Sequence, residues 1–274
     1  LRRSSAASDV YKRQYKNGRQ QMMFRTNEKL YLLDRNGNEV KQLSFPINSN
    51  FSNIPISIFD YEKNRNYRFL ISVDNKINMY DSNGKIVSGF RPPIFESKII
   101  NNPVHIRING KDYILVQLED GSLKILDRRG RDRIIVDNKI QYSGNSIYSY
   151  LEQFTTTDKL GNLIKIDTKG NLIKENINLS VENFIDIVDN NIVYLNENRL
   201  TIKGINVELP FSKFSKPKIF IDSKTTLVSI TDLTNNEIYL YRDNGKLVKG
   251  FPIKGSSVIA VSYTHLTLPT IVSV

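Results

Sequence analysis

Apolar and polar positions alternate along this chain in short runs separated by turn signals. The clearest run is Ile238–Pro252, IYLYRDNGKLVKGFP. β-Favouring residues lead into an Asn-Gly turn, and a second apolar run follows, which predicts strand, tight turn, strand. A near-copy, INMYDSNGKIVSGF, spans Ile77–Phe90. Aligned on the turn glycine, further copies read LYLLDRNG to Gly37, LKILDRRG to Gly130, LIKIDTKG to Gly170 and a shortened LTIKG to Gly204. With Gly84 and Gly245, successive turn glycines lie 47, 46, 40, 34 and 41 residues apart. Repeats of about 40–50 residues suit four-stranded propeller blades. Helical repeats of that length would need a sustained 3.6-residue period, which is missing.

The chemistry of the motif supports this reading. Asp at the start of the turn can bond the backbone two residues on. Gly supplies the positive φ of a three-residue hairpin loop with a bulge. Side chains two apart share a face, so Leu30 and Leu32, or Ile238 and Leu240, are expected against one neighbouring blade. Tyr31, Leu33, Tyr239 and Tyr241 are expected against the other. Phe45-Pro46 and Phe251-Pro252 would close outer strands, where proline loses no ladder bond. A second hairpin precedes each motif. The pairs are Ile56–Phe59 with Tyr67–Val73, Val104–Ile108 with Tyr113–Leu118, Ile147–Tyr150 with Phe154–Thr157, Phe184–Val188 with Ile192–Leu195, and Lys218–Ile221 with Leu227–Thr231. The first blade shows only Gln21–Phe24. The expected fold is all-β, a β-propeller of about six four-stranded blades, truncated at both ends.

The termini change the domain boundaries. Ser4–Gln14, SSAASDVYKRQ, can be back-translated so that its reverse complement, in another frame, encodes Val261–Thr270, VSYTHLTLPT. Both resemble a translated sequencing-library adapter. Residues 1–14 and 261–274 are therefore expected to be adapter-derived and non-native, with the propeller repeats in residues 15–260.

The formal charge is +11, from 39 Lys and Arg against 28 Asp and Glu. Setting aside residues 1–14, which hold Arg2, Arg3, Lys12, Arg13 and Asp9, leaves +8. A basic balance permits contact with an anionic surface. The densest group, Arg128, Arg129, Arg131 and Arg133, falls on a predicted turn and reads as a solvated hairpin tip. The chain has no cysteine, which excludes disulfides, thiolate metal sites and cysteine nucleophiles. No apolar run reaches the length of a membrane helix.

Candidate chemistry is sparse. Asp60, Glu62 and Asn64 place oxygens at alternate positions, as calcium loops do. Arg65 occupies the slot where such loops often carry glycine, and no bidentate Glu follows, so a solvated turn is preferred over a calcium site. His105 sits on a predicted strand and reads as structural, because no other His or Cys can join it outside the adapter-like segment. No catalytic residue, cofactor or nucleophile motif is assigned. An enzyme would need carboxylates to converge, with Asp60, Glu62, Asp112 and Asp232 the candidates.

The hairpins resemble those of quinoprotein-like and FG-GAP-like propellers. FDYEKNRNYRFL (Phe59–Leu70), MYDSNGKIVSGF (Met79–Phe90) and IYLYRDNGKLVKGFP are similar to the C-terminal repeats of a family of bacterial cell-envelope proteins. The resemblance implies an extracytoplasmic location and supplies no catalytic residue. Quinoproteins dock tryptophan-bearing motifs between blades, and this chain has no Trp. The expected function is a non-catalytic binding or scaffolding propeller with a protein or glycan ligand. The alternatives are the accessory propeller of an enzyme whose catalytic part lies elsewhere, and a basic surface for nucleic acid or another anionic polymer. Nucleic acid is the less favoured partner, and nothing implies an obligate oligomer.

Overall fold

The computed structural model describes residues 11–14, 20–25, 30–34, 36–40, 55–62, 64, 66–81, 84–222, 225–264 and 267–272. Strands are the only regular elements among them, and every sheet is antiparallel with neighbours in chain order. The first sheet holds Tyr11–Gln14, Gln20–Arg25 and Leu30–Asp34. The second holds Ser57–Phe59, Arg68–Val73 and Lys76–Tyr80. The third runs through Val104–Ile108, Lys111–Gln117, Leu123–Leu126 and Asp132–Ile134. The fourth comprises Tyr148–Tyr150, Gln153–Thr157, Asn162–Ile166 and Leu172–Asn176. The fifth comprises Asn183–Val188, Asn191–Asn196, Arg199–Ile202 and Ile205–Glu208. The sixth comprises Lys218–Asp222, Thr225–Asp232, Glu237–Arg242 and Ile253–Lys254. Ala260–Thr264 pairs with Thr267–Val272. Each predicted hairpin is present within a few residues of its expected bounds.

The first sheet differs from expectation. It starts at Tyr11–Gln14, which pairs with Gln20–Arg25, rather than at Gln21–Phe24. An edge strand presents unpaired N–H and C=O groups, and an extended segment upstream satisfies them.

All six turn glycines have positive φ, from 73° to 95°. In the first repeat Gly37 N donates to Asp34 O and Asp34 N to Asn38 O, the three-residue loop expected of the motif. Asp34, Asp127 and Asp167 each accept two backbone N–H groups of their own turn. In the sixth sheet Arg242 stands in the aspartate position, and Asn244 Oδ1 accepts Lys246 N instead. The fifth turn is cut to Lys203-Gly204, both at positive φ, so the strands close through two residues.

The outer strand is where the repeats depart from an ideal blade. In the second sheet it is reduced to the bridges Tyr80–Ile86 and Lys76–Ile94. In the sixth it resumes at Ile253–Lys254 after the bridge Tyr241–Leu247. Between the pieces, Phe90 N donates to Val87 O and Phe251 N to Val248 O, both at 3.1 Å, over Gly89 and Gly250 at positive φ. The shared V-x-G-F string is therefore a turn set into the outer strand. Phe251-Pro252 lies in that break, where proline loses no ladder bond. Phe45-Pro46 falls outside the described residues.

The chain forms two compact units, Leu1–Ile140 and Gln141–Val274. In the first, Phe69 and Ile71 pack with Leu32 of the first sheet. The opposite face, Leu70, Ile77 and Met79, packs with Ile114 and Val116 of the third. In the second unit Tyr239 and Tyr241 pack with Val193, Leu195, Leu200 and Ile202 of the fifth sheet. Ile238 and Leu240 face Ile259. Strands apolar on both faces are thus sandwiched between sheets, as the motif requires. A buried polar seam joins the fourth and fifth sheets, where Asn145 Nδ2 bonds Thr157 Oγ1 at 2.8 Å and Asn183 Oδ1 at 2.9 Å.

Candidate functional site

The first unit holds a clasp built on one buried carboxylate. Val104–Ile108 and Lys111–Gln117 pair so that Arg107 lies opposite Asp112. His105, two residues back on the same face, reaches the same carboxylate, with Nε2 2.8 Å from Asp112 Oδ1. Arg128, in the turn after Leu123–Leu126, reaches Asp112 Oδ2 through Nε at 2.6 Å. Its Nη1 donates to Glu62 Oε1 at 2.8 Å. Its guanidinium also lies over the Tyr61 ring, 4.5 Å from the centroid. Tyr61 in turn meets His105 edge-on at 4.7 Å, and Phe59 packs beside the same imidazole at 5.3 Å.

Burial lowers the His105 pKa, and Asp112 offsets part of that effect. Burial also raises the Tyr61 pKa. An ionised carboxylate only accepts, so Nε2 of the neutral imidazole carries the proton. The imidazole is committed to Asp112 and flanked by Phe59 and Tyr61. The chemistry is that of a cross-sheet clasp.

The calcium-loop residues are also engaged. Asp60 Oδ1 accepts Asn64 N at 3.1 Å, and Asn64 Oδ1 accepts Asn66 N at 2.9 Å. Glu62 faces Arg128, so an ion there would compete with a guanidinium. Among the described residues, no three His, Cys, Asp or Glu side chains gather as a metal cluster.

The arginine turn is exposed at Arg129, Arg131 and Arg133, as expected of a hairpin tip, but it also makes specific contacts. Arg128 is held by Asp112 and Glu62, and Arg131 by Asp127 at 2.7 Å. Arg133 lies over the Tyr113 ring at 5.3 Å. The turn aspartate organises these contacts: Asp127 draws Arg131 back onto its own loop and fixes the backbone from which Arg128 reaches Asp112.

The second unit holds an open groove of about 380 Å³. Phe184, Leu195 and Phe214 give it an apolar floor, and Glu182, Glu197, Asn198, Ser212 and Lys213 give it a polar rim. Phe211 also lines it and is 94% exposed. That exposure is imposed by the neighbours. Leu209 and Phe214 are buried on either side. Ser212 Oγ donates to Asp232, and Leu233 N donates to Lys213 O at 2.8 Å. Asp232 itself is fully buried. Burial alone would raise its pKa, but hydrogen bonds from Ser212, Asn235 and Thr234 hold it below the usual carboxylate value. It anchors the loop that presents Phe211.

Of the four carboxylates named from the sequence, Arg128 brings Glu62 and Asp112 together, Asp60 caps its own loop, and Asp232 serves the groove. Phe211 was missed. It lies between predicted strands, and no spacing rule marks a loop phenylalanine as exposed.

No family model matches the chain, and no curated protein matches it in sequence. Solved structures do. BBS1N, in complex with ARL6DN, superposes with a TM-score of 0.64 at 13% identity, over 98% of this chain and 89% of that one. Virginiamycin B lyase from Staphylococcus aureus gives 0.60 at 13%, over 90% and 85%. BamB from Moraxella catarrhalis gives 0.58 at 14%, over 95% and 82%. At these identities the likeness concerns architecture alone, and with the sheets described above it establishes the chain as an all-β β-propeller.

Proposed function

We propose that this chain is a non-catalytic binding or scaffolding β-propeller, that it docks a protein partner at the Phe211 groove, and that it works in the envelope of a bacterium. One observation carries the reading: a phenylalanine ring is held in water beside an apolar floor with a polar rim. Apolar centre and polar rim are the anatomy of a protein interface. Burying such a ring contributes about 1.5–3 kcal/mol, and aromatic side chains are frequent anchors of binding energy. Glu182 and Glu197 on the rim suit a partner segment that sets an apolar side chain beside a basic one. The complex of BBS1N with ARL6DN supports the reading, since a chain of like fold there holds a protein. The repeat resemblance supports the envelope location.

The test places a photo-crosslinking side chain at Lys213, exposed on the groove, identifies what is captured, and measures binding of that protein to the full chain and to Phe211→Asp. The expected result is capture of one protein and at least a tenfold loss of its affinity in the variant. Equal affinity for a variant with an unchanged melting temperature would exclude the groove.

A further inference from the structure

The repeats share one more element, and it sets Phe211 apart. In three of the sheets, the segment ahead of the first strand pairs with the turn between the second and third strands. Glu119 N donates to Lys98 O, Lys159 N to Gln141 O and Leu233 N to Lys213 O, each at 2.8 Å. The residues that follow the three carbonyls, Ile99, Tyr142 and Phe214, are all buried. Two positions before the same carbonyls stand Glu96, Lys139 and Phe211, and all three are exposed. The third and fourth sheets thus hold a charged side chain in water at this position, and the sixth holds a phenylalanine. The fold needs an exposed residue there, but it does not need a ring.

The charges on the same groove are also unused. Glu182, Glu197 and Lys213 are exposed on its rim and make no ion pair among the described residues. Elsewhere in the same unit Arg199 pairs with Glu208, Lys203 with Asp243 and Lys254 with Glu237. Lys216 is committed to the groove floor: its Nζ donates to Gly144 O at 3.3 Å and lies 5.6 Å over the Phe184 ring. Exposed apolar residues adjoin the rim, with Val181 next to Glu182 and Leu233 bonded through its backbone to Lys213.

Resting on the reading of the groove as a protein-docking site, we infer that its occupant is a second copy of this chain, in a reversible two-fold dimer. Phe211 of each copy enters the groove of the other, and Lys213 of each meets Glu182 and Glu197 of the other. The groove asks for an apolar side chain beside a basic one, and Phe211-Ser212-Lys213 is such a segment. Phe211 also lines the groove it would fill. A two-fold axis beside the ring therefore sets each ring over the other copy's floor, the self-complementary contact of an isologous interface. Opposite charges facing each other across the axis fix the register. The contact involves one loop and its neighbours, so the dimer is expected to be weak and concentration-dependent.

The experiment is sedimentation velocity of the full chain between about 2 and 200 µM, a span suited to micromolar affinity. The parent is expected to pass from monomer to dimer. Phe211→Asp should raise the dissociation constant at least tenfold. Lys98→Glu, a charge reversal at the equivalent position of the third sheet, should dimerise as the parent does. Two charge-reversed chains give the decisive comparison. Lys213→Glu in one chain, and Glu182→Lys with Glu197→Lys in the other, each set like charges together in their own homodimers. Each chain alone should be monomeric. An equimolar mixture should dimerise, because every contact across the axis then joins opposite charges. Melting curves confirm that all variants are folded. A parent that stays monomeric, a Phe211→Asp variant that dimerises equally well, or a mixture no more associated than its components overturns the inference. A monomeric parent still leaves the groove to a different protein, which the crosslink at Lys213 would capture, so the two readings fail separately.

Discussion

At the scale of single residues, Gly130 combines two constraints. Its φ is +80°, and the Arg91 carbonyl stands where a side chain would begin. The positive φ alone costs an L-residue about 1–2 kcal/mol, and a backbone oxygen cannot step aside as a flexible side chain would. Gly130→Ala is expected to lower the urea midpoint by more than Gly204→Ala, which has positive φ but open space around it. Thr155 makes the opposite case. It is fully buried, and its hydroxyl has no hydrogen-bond partner among the described residues. Thr155→Val keeps the shape and removes the unsatisfied group, so it should be neutral or stabilising by up to about 1 kcal/mol in denaturant titrations. A clear loss would mean that the hydroxyl has a partner. His105 links a residue to pH. Its folded pKa lies below the ordinary value because of burial, while the unfolded chain protonates near the ordinary value of about 6.5. Stability contributed at this site is intact above about 6.5 and declines as pH falls toward the folded value, since the unfolded state then binds more protons. The groups facing the ring are Asp112, Arg107, Arg128, Tyr61 and Phe59. His105→Gln should show a shallower fall in melting temperature between pH 7 and 5 than the parent, and parallel curves would remove the role.

At the scale of elements, the hairpin turn and the cross-sheet clasp behave differently. The sixth-sheet turn keeps the backbone geometry of the others, with Gly245 N on Arg242 O at 3.0 Å, although it lacks the aspartate. Arg242→Asp should add the side-chain bonds seen at Asp34, Asp127 and Asp167. A gain of about 0.5–1 kcal/mol in denaturant titration is expected. The clasp is the costlier element to break. Asp112 is 5% exposed and joins His105 and Arg128 to each other and, through Arg128, to Glu62. Removing one partner of a buried pair costs about 3–5 kcal/mol. Arg128 still reaches water, so Asp112→Ala should lose nearer to about 2 kcal/mol. Asp60→Ala, which removes the cap on Asn64 N, should lose less than Asp112→Ala, about 1 kcal/mol.

At the scale of the whole molecule, stability is shared by sheets that each present apolar residues on two faces. Leu70 and Met79 on one side and Phe69 and Ile71 on the other belong to different clusters of the same sheet. Each added sheet therefore covers a face that would otherwise meet water, which is the energetics of a repeat array. We propose that residues 15–260 carry this array and that residues 1–14 and 261–274 add little to it. A chain trimmed to 15–260 should melt within about 3 °C of the full one, which for a domain of this size is on the order of 1 kcal/mol. A larger fall would make Tyr11–Gln14, paired with Gln20–Arg25, a working part of the first sheet.

The hairpins, their turn residues and the two-faced burial of the motif strands were determined by the sequence alone. A period of two, a β-favouring run and a turn glycine act between residues a few positions apart, and six copies repeat the message, four of them with the full Asp-x-x-Gly turn. The V-x-G-F turn was written there as well, in VSGF and VKGF, but its meaning became plain only once the outer strand was seen to break around it. The clasp and the groove were decided by tertiary structure. Glu62 and Arg128 are 66 residues apart, and His105 finds its partner only when the Asn109-Gly110 turn folds Asp112 back against it. Nothing local to Phe211 sets its exposure. Leu209, Ser212 and Phe214 are each held by groups on the fifth or sixth sheet, and the ring between them is left in water. Local pattern dictates which residues form strands, whereas the meeting of side chains from separate sheets depends on how those strands stack.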